Sequence, residues 1–584
     1  ADEAARTNTF AWLYDEDKWP SGFAGGEVPE KDPKFRSRAL VLLKKGSATP
    51  DDTVLCSISR GGVDYDICKR VSPLGSKWFN GASYIDLMSP DAVREFINCT
   101  HERYKKACGE HFGKSIPGIF TDEPCYLMFF HYDAPVVPWS DFLPDFFTKM
   151  KGYDITKRLP ELFFETGDYR KARFDFYDAA TELFKQSFTK PYYDWCEANN
   201  LIMTGHFMAE DSLCYQTQWS GDVMSHYEFM HWPGIDKLVR DVRPGLVHRF
   251  DQIVTVKQVS SAVDQLGKER SFSEVYGCMG QQCSFLHRKW IGDWQAALGI
   301  SFVNHHLSLY SMRGERKRDF PANLFYQQPW WDDERGFADY QGRLCAAVSE
   351  GKRIVDILLL QPLSSVWSEY SPLHVQGDYG PENAYDVPFA RISRNLTSAK
   401  LDYHYGNENL MAKHASVEGD NIKVGRHSYS CVIIPPALNI KSKTASLLSD
   451  YAKAGGKLII VGGLPPLVDG LESKLDLPGA RIVSTVDEAV SIADKLMLDR
   501  IKVTDRLTGA NAATVFVHSR STGNSTRHLF ANTDEKREVK ATVSLPGSLG
   551  SDAAVFDLCT GNLYKLEVKN GAFDVNLSPA GSLL

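Results

Sequence analysis

The stretch GIFTDEP (118–124) runs from apolar residues straight into Thr121, Asp122 and Glu123, and Pro124 closes it. A short apolar run bounded by turn residues reads as a buried strand. The two adjacent carboxylates at its end have two readings. They open a solvated turn, or they are acids presented at the C-terminal rim of a parallel barrel, where (β/α)8 enzymes keep their chemistry.

Segments of the same form recur on both sides: FAWLYDED (10–17), SYIDLM (83–88), LIMTGHF (201–207), PGIDKL (233–238), SFSEVYG (271–277) and GISFVNHHLSLYS (299–311). Helical stretches separate them, and this alternation predicts βα units around a parallel sheet. The helix after SYIDLM opens with Ser89 as N-cap, Pro90 at the first position and Asp91 in the first turn. Seven strands are counted where a (β/α)8 barrel needs eight. The expectation is a TIM-like barrel over 1–350 whose first strand is absent or lies upstream. FAWLYDED is then the second strand, GIFTDEP the fourth and SFSEVYG the seventh.

Near residue 352 the rhythm changes. KRIVDILLLQP (352–362), YSCVIIPPALNI (429–440) and GGKLIIVGGLP (455–465) are continuous apolar runs, as in strands buried on both faces. They predict a Rossmann-like, doubly wound α/β domain over 351–500. VGGLPP matches no dinucleotide or phosphate-loop fingerprint. Alternating segments such as ATVFVHSR and KATVSLPG predict a small β-sandwich over 501–584.

The chain has 584 residues, is 43% hydrophobic and 24% charged, and carries a net charge of −8, with no basic stripe to suggest nucleic acid. No run of about 18 apolar residues suggests a membrane span. The opening ADEAARTNTF does not read as a signal peptide. Twelve scattered cysteines read as free thiols of a reducing compartment. A cytoplasmic location is expected, with secretion and homo-oligomer formation left open. Cys278 and Cys283 do not have zinc-ligand spacing, and no metal is expected from the cysteines.

Glu123 and Glu274 end the fourth and seventh predicted strands, across the barrel from each other. A glycosidase needs such a pair, one protonated and one ionised, flanking a single sugar. Asp15, Asp17, Trp19, Asp122, His206, Asp236, Asn304 and His305 stand at or near other strand ends and are the candidates for binding hydroxyls of an oligosaccharide or glycoside. Each taken singly has a plain structural reading; their convergence on one rim carries the functional one.

With these residues placed, the chain resembles the clan A glycoside hydrolases, barrels whose acid/base and nucleophile are glutamates after strands four and seven. That resemblance implies Glu123 as acid/base and Glu274 as nucleophile. The clan has Asn before the acid/base, where this chain has Asp122. The segment after the barrel resembles the Rossmann-like domain of the family that contains microbial β-galactosidases. WLYDEDKWPSGFAGG (12–26), GIFTDEP and SLYSMRGERKRDFP (308–321) resemble large bacterial and fungal glycosyl hydrolases related to barrel α-L-rhamnosidases. The first resemblance implies retention without a cofactor. The second implies inversion, with calcium placed at the 15–17 loop. A non-catalytic carbohydrate-binding protein with a degenerate barrel is the third reading.

Overall fold

The computed structural model describes all residues except 129–133, 243–251, 319, 321–323, 375–379, 382, 524 and 548–551, and the side chain of Val239. Two positions of the 308–321 stretch therefore lie outside the described residues. A curled, half-barrel sheet of six strands organises the N-terminal part: β1 (Leu13–Tyr14), β2 (Gly118–Asp122), β3 (Ile202–His206), β4 (Trp232–Val239), β5 (Phe272–Cys278) and β6 (Phe302–His305). Each pairs in parallel with the next. The connections contain helices, including Pro90–Cys99, Tyr169–Phe184, Ile253–Leu266 and Phe285–Leu298. Ser89 caps the first of these by accepting from the Ala92 N–H, and Pro90 stands in its first turn.

Six of the seven expected strands are present. SYIDLM forms none: only Ile85 makes an isolated bridge, to Arg36, and β1 pairs directly with β2. The cause is local. The Asp86 carboxylate accepts from the Met88 N–H (3.0 Å) and the Ser140 hydroxyl (2.7 Å), and the Ser89 N–H donates to the Asp86 carbonyl (3.0 Å). Side-chain-to-backbone bonds of this kind turn a chain away from a sheet ladder.

Three strands of the β1–β2 connection and one of the β2–β3 connection, Val136–Trp139, form an antiparallel sheet in the order Asp52–Arg60, Val63–Val71, Arg38–Lys44, Val136–Trp139. Gly61 and Gly62, with φ of 58° and 77°, form its hairpin turn. A two-residue turn with both φ positive suits the twist of the flanking strands and favours glycine.

Further along lies a second parallel sheet, in the order Tyr403–Gly406, Ile357–Leu360, Cys431–Ile434, Lys457–Val461, Arg481–Val483. KRIVDILLLQP is two strands, not one. Lys352–Arg353 pairs antiparallel with Val515–Thr522, and only Ile357–Leu360 enters the parallel sheet. The C-terminal strands are antiparallel, chiefly Val515–Thr522 with Ser525–Asn532 and Val539–Ser544 with Ala572–Leu577. A buried charge knot ties the N-terminal half-barrel to these later sheets. Lys257 bonds Asp402 (2.7 Å), Arg353 bonds Asp402 (2.7 Å), and Asp264 lies 3.3 Å from His404 and 3.5 Å from Arg520.

Candidate active site

The strand register builds the site. Asp122 on β2 is the Cα partner of His206 on β3, while Asp236 on β4, Glu274 on β5 and Asn304 on β6 share one rung. Gly205 makes the β2–β3 approach possible. It has φ +128°, and a Cβ there would lie 1.9 Å from the Thr121 carbonyl oxygen.

His206 is the centre, 1% exposed. Its Nε2 is 2.7 Å from Glu274 Oε2 and 3.6 Å from Asp122 Oδ1, and its Nδ1 is 4.0 Å from Glu123 Oε1. Glu123 and Glu274 thus stand on opposite edges of one imidazole. Two such contacts across one ring fit the span of carboxyl separations used by glycosidases, about 5–9.5 Å.

Glu123, just past β2, has φ +52°, a left-handed conformation that costs a side-chain-bearing residue about 1–2 kcal/mol. Its N–H donates to the His206 carbonyl (3.2 Å), and its Oε2 accepts from the Trp19 indole N–H. These two bonds hold the strained residue and aim Oε1 at the imidazole. Trp19 is braced by Trp78, whose indole N–H donates to the Trp19 carbonyl (3.2 Å) and whose ring meets it edge-on at 5.5 Å.

Burial pushes the Glu123 carboxyl up to about 7, against the opposing pull of the His206 charge. Asp122 rises to about 6, through burial and the charge of Glu274. Asp236 is raised well above the carboxylate range, first by burial. Glu274 goes the other way: burial would raise it, but the hydrogen bond and charge of His206 hold it below its ordinary value. Burial alone would depress His206, yet its bond to Glu274 and the surrounding carboxylates raise it well above an ordinary imidazole. Groups this close titrate as a set. Within the set the environment favours the protonated form at Glu123 and the charged form at Glu274.

Trp19, Asp122, His206, Asp236 and both glutamates are brought together. Asp15 and Asp17 are not. Asp15 is fully buried and accepts from the Ser21 hydroxyl (2.5 Å), and exposed Asp17 accepts from the Asn80 amide (2.8 Å). Asn304 is exposed on its rung beside Glu274. His305 packs against Tyr276 and Phe337, with ring centroids at 4.9 and 6.2 Å, whereas His306 faces Glu274 at 3.9 Å.

Tyr14 and Glu210 carry no strand-end signal in the sequence; His306, which ends the Asn304-His305-His306 run, does. Tyr14 donates to Asp122 Oδ2 (2.6 Å), Glu210 accepts from the N–H groups of Phe207 (2.9 Å) and Asp236 (3.1 Å), and His306 joins Glu274. Strand parity was the available signal for His306. Side chains alternate, so a strand that turns Asn304 to the site turns His305 away and continues toward it at 306.

The 15–17 loop does not fit calcium. Glu16 spends its oxygens on the N–H groups of Asp17, Gly22, Ala24 and Gly25 at 2.7–3.1 Å, and its neighbours face Ser21 and Asn80. A hard cation wants several converging free oxygens, and Glu16 at the middle of the loop has none to give.

No protein family and no curated protein matches the chain by sequence. The fold is that of the TIM-barrel glycosidases. A rhamnosidase from Novosphingobium sp. PP1Y superposes with a TM-score of 0.66 at 14% identity over 90% of this chain, which spans 50% of that protein's length. A catalytic mutant of Gan42B, a GH42 β-galactosidase from G. stearothermophilus, gives 0.62 at 10% identity, covering 100% of this chain and 89% of its own. A GH42 exo-carrageenase from Bacteroides ovatus gives 0.58 at 13%, covering 86% and 70%.

Proposed function

We propose that the chain is an exo-acting, retaining glycoside hydrolase. The carrying observation is the pair Glu123 and Glu274 on either side of His206, with opposite protonation preferences. The Glu274 carboxylate attacks the anomeric carbon as Glu123 gives its proton to the departing glycosidic oxygen. Glu123 then takes a proton from water, whose oxygen displaces Glu274 from the sugar. His206 positions Glu274 and stabilises its charge. Residues 1–350 carry the chemistry; 351–500 and 501–584 brace them. The fold likeness to glycosidases supports this reading, as does the convergence of strand-end acids.

A panel of aryl glycosides, with galactosides and rhamnosides first, is the test. Release of the aryl alcohol that is lost in Glu274→Ala supports hydrolysis. A chain that binds the sugars without turnover is instead a lectin-like barrel. Inversion, which the sequence resemblance to barrel α-L-rhamnosidases implies, is the second reading, and in it one carboxyl activates water directly. The anomer first released, read by NMR, decides: retention gives the substrate's own configuration.

A further inference from the structure

We propose that Glu123, His206 and Asp236 form a binding site for one divalent transition metal of the zinc class, held through Nδ1 of the imidazole and one oxygen of each carboxyl. One ligand atom from each residue lies within 4.8 Å of the other two. The imidazole supplies the independent observation. His206 is 1% exposed and its Nδ1 has no hydrogen-bond partner, although it is aimed at Glu123 Oε1 at 4.0 Å. Asp236 Oδ1 is likewise buried without a partner.

The opposite edge of the ring is arranged as in metal-binding histidines. Nε2 contacts the Glu274 carboxylate at 2.7 Å. A ligating histidine almost always donates its second N–H to a carboxylate or carbonyl, and the ion displaces the proton that the charged imidazole carries on the other nitrogen. Trp19 occupies Oε2 of Glu123, so Oε1 is the oxygen that faces Nδ1. The cluster of Asp122, His206 and Glu274 offers less, because it would use the Nε2 already bonded to Glu274.

Zinc binds His nitrogen and carboxylate oxygen at about 2.0–2.2 Å, so two ligands of one ion sit roughly 3–4 Å apart. Rotation of the two carboxyls closes the remaining gap. One imidazole with two carboxylates suits zinc-class ions better than calcium, which prefers oxygen alone. An ion here takes the Glu123 oxygen and silences it as a proton donor, so it would inhibit rather than assist hydrolysis.

Binding is read directly, so the inference stands or falls apart from the hydrolase reading. The full chain is stripped with a chelator, then titrated with Zn2+ by calorimetry and with Co2+ by visible absorption. One ion per chain is expected. Asp236→Asn, which preserves size, and His206→Gln should each weaken binding at least tenfold. Glu274→Gln, which acts through the imidazole, should weaken it by about 10–100-fold. Thermal melts confirm that each variant is folded, and Asp236→Asn suffices if His206→Gln is not. Absence of stoichiometric binding to the wild-type chain, or unchanged affinity in Asp236→Asn, overturns the site.

Discussion

Glu123 is made an acid mainly by burial and is restrained by two groups that favour its charged form, His206 and the Trp19 indole N–H. Its proton is lost as pH rises through about 7, so kcat/KM should fall on that side. Glu274, held below its ordinary value, sets the acid limb. Replacing Trp19 with Phe removes a donor that stabilises the charged carboxylate, so the Glu123 carboxyl rises and the alkaline limb moves to higher pH. A pH–rate profile of Trp19→Phe checks this; an alkaline limb that stays put or moves down contradicts the role given to the indole. Trp19 was legible as a site residue because it follows the acids of the β1 end. Its bond to a residue 104 positions away was not.

The β2–β3 contact depends on one residue without a side chain. Gly205→Ala would place a methyl group 1.9 Å from the Thr121 carbonyl oxygen at φ +128°. The strands must part, at a cost of about 1–3 kcal/mol, and Asp122 and His206 move with them. Thermal unfolding should show a lowered Tm together with lost activity; an unchanged Tm would mean the strands are not so close. At this scale the sequence was readable where side-chain period and burial agree, as in GIFTDEP and LIMTGHF. It misled at SYIDLM, where β-forming residues surround Asp86 and turn chemistry prevails. The Gly61–Gly62 pair between two nine-residue strands is a local hairpin signal that the βα alternation around it masks.

In the whole molecule, the charge knot of Lys257, Asp264, Arg353, Asp402 and Arg520 joins segments about 50 to 250 positions apart, so no local pattern could announce it. Lys257 and Arg353 are almost wholly buried. Asp402→Ala leaves both cations short of their carboxylate, and loss of one partner from a buried pair costs about 3–5 kcal/mol. Chemical denaturation should show that loss with the active-site residues unaltered; a change below about 1 kcal/mol would make the knot incidental. The central claim concerns the opposite roles of two glutamates, and one comparison tests it most directly: kcat/KM of Glu123→Ala and Glu274→Ala on an activated aryl glycoside and on a glycoside with a poor leaving group. A good leaving group needs no proton, whereas the covalent step always needs its nucleophile. Glu123→Ala should keep appreciable activity on the activated substrate, gain rate with azide and lose the poor substrate. Glu274→Ala should fail on both. Equal losses on both substrates, or no loss in either variant, would contradict the assignment.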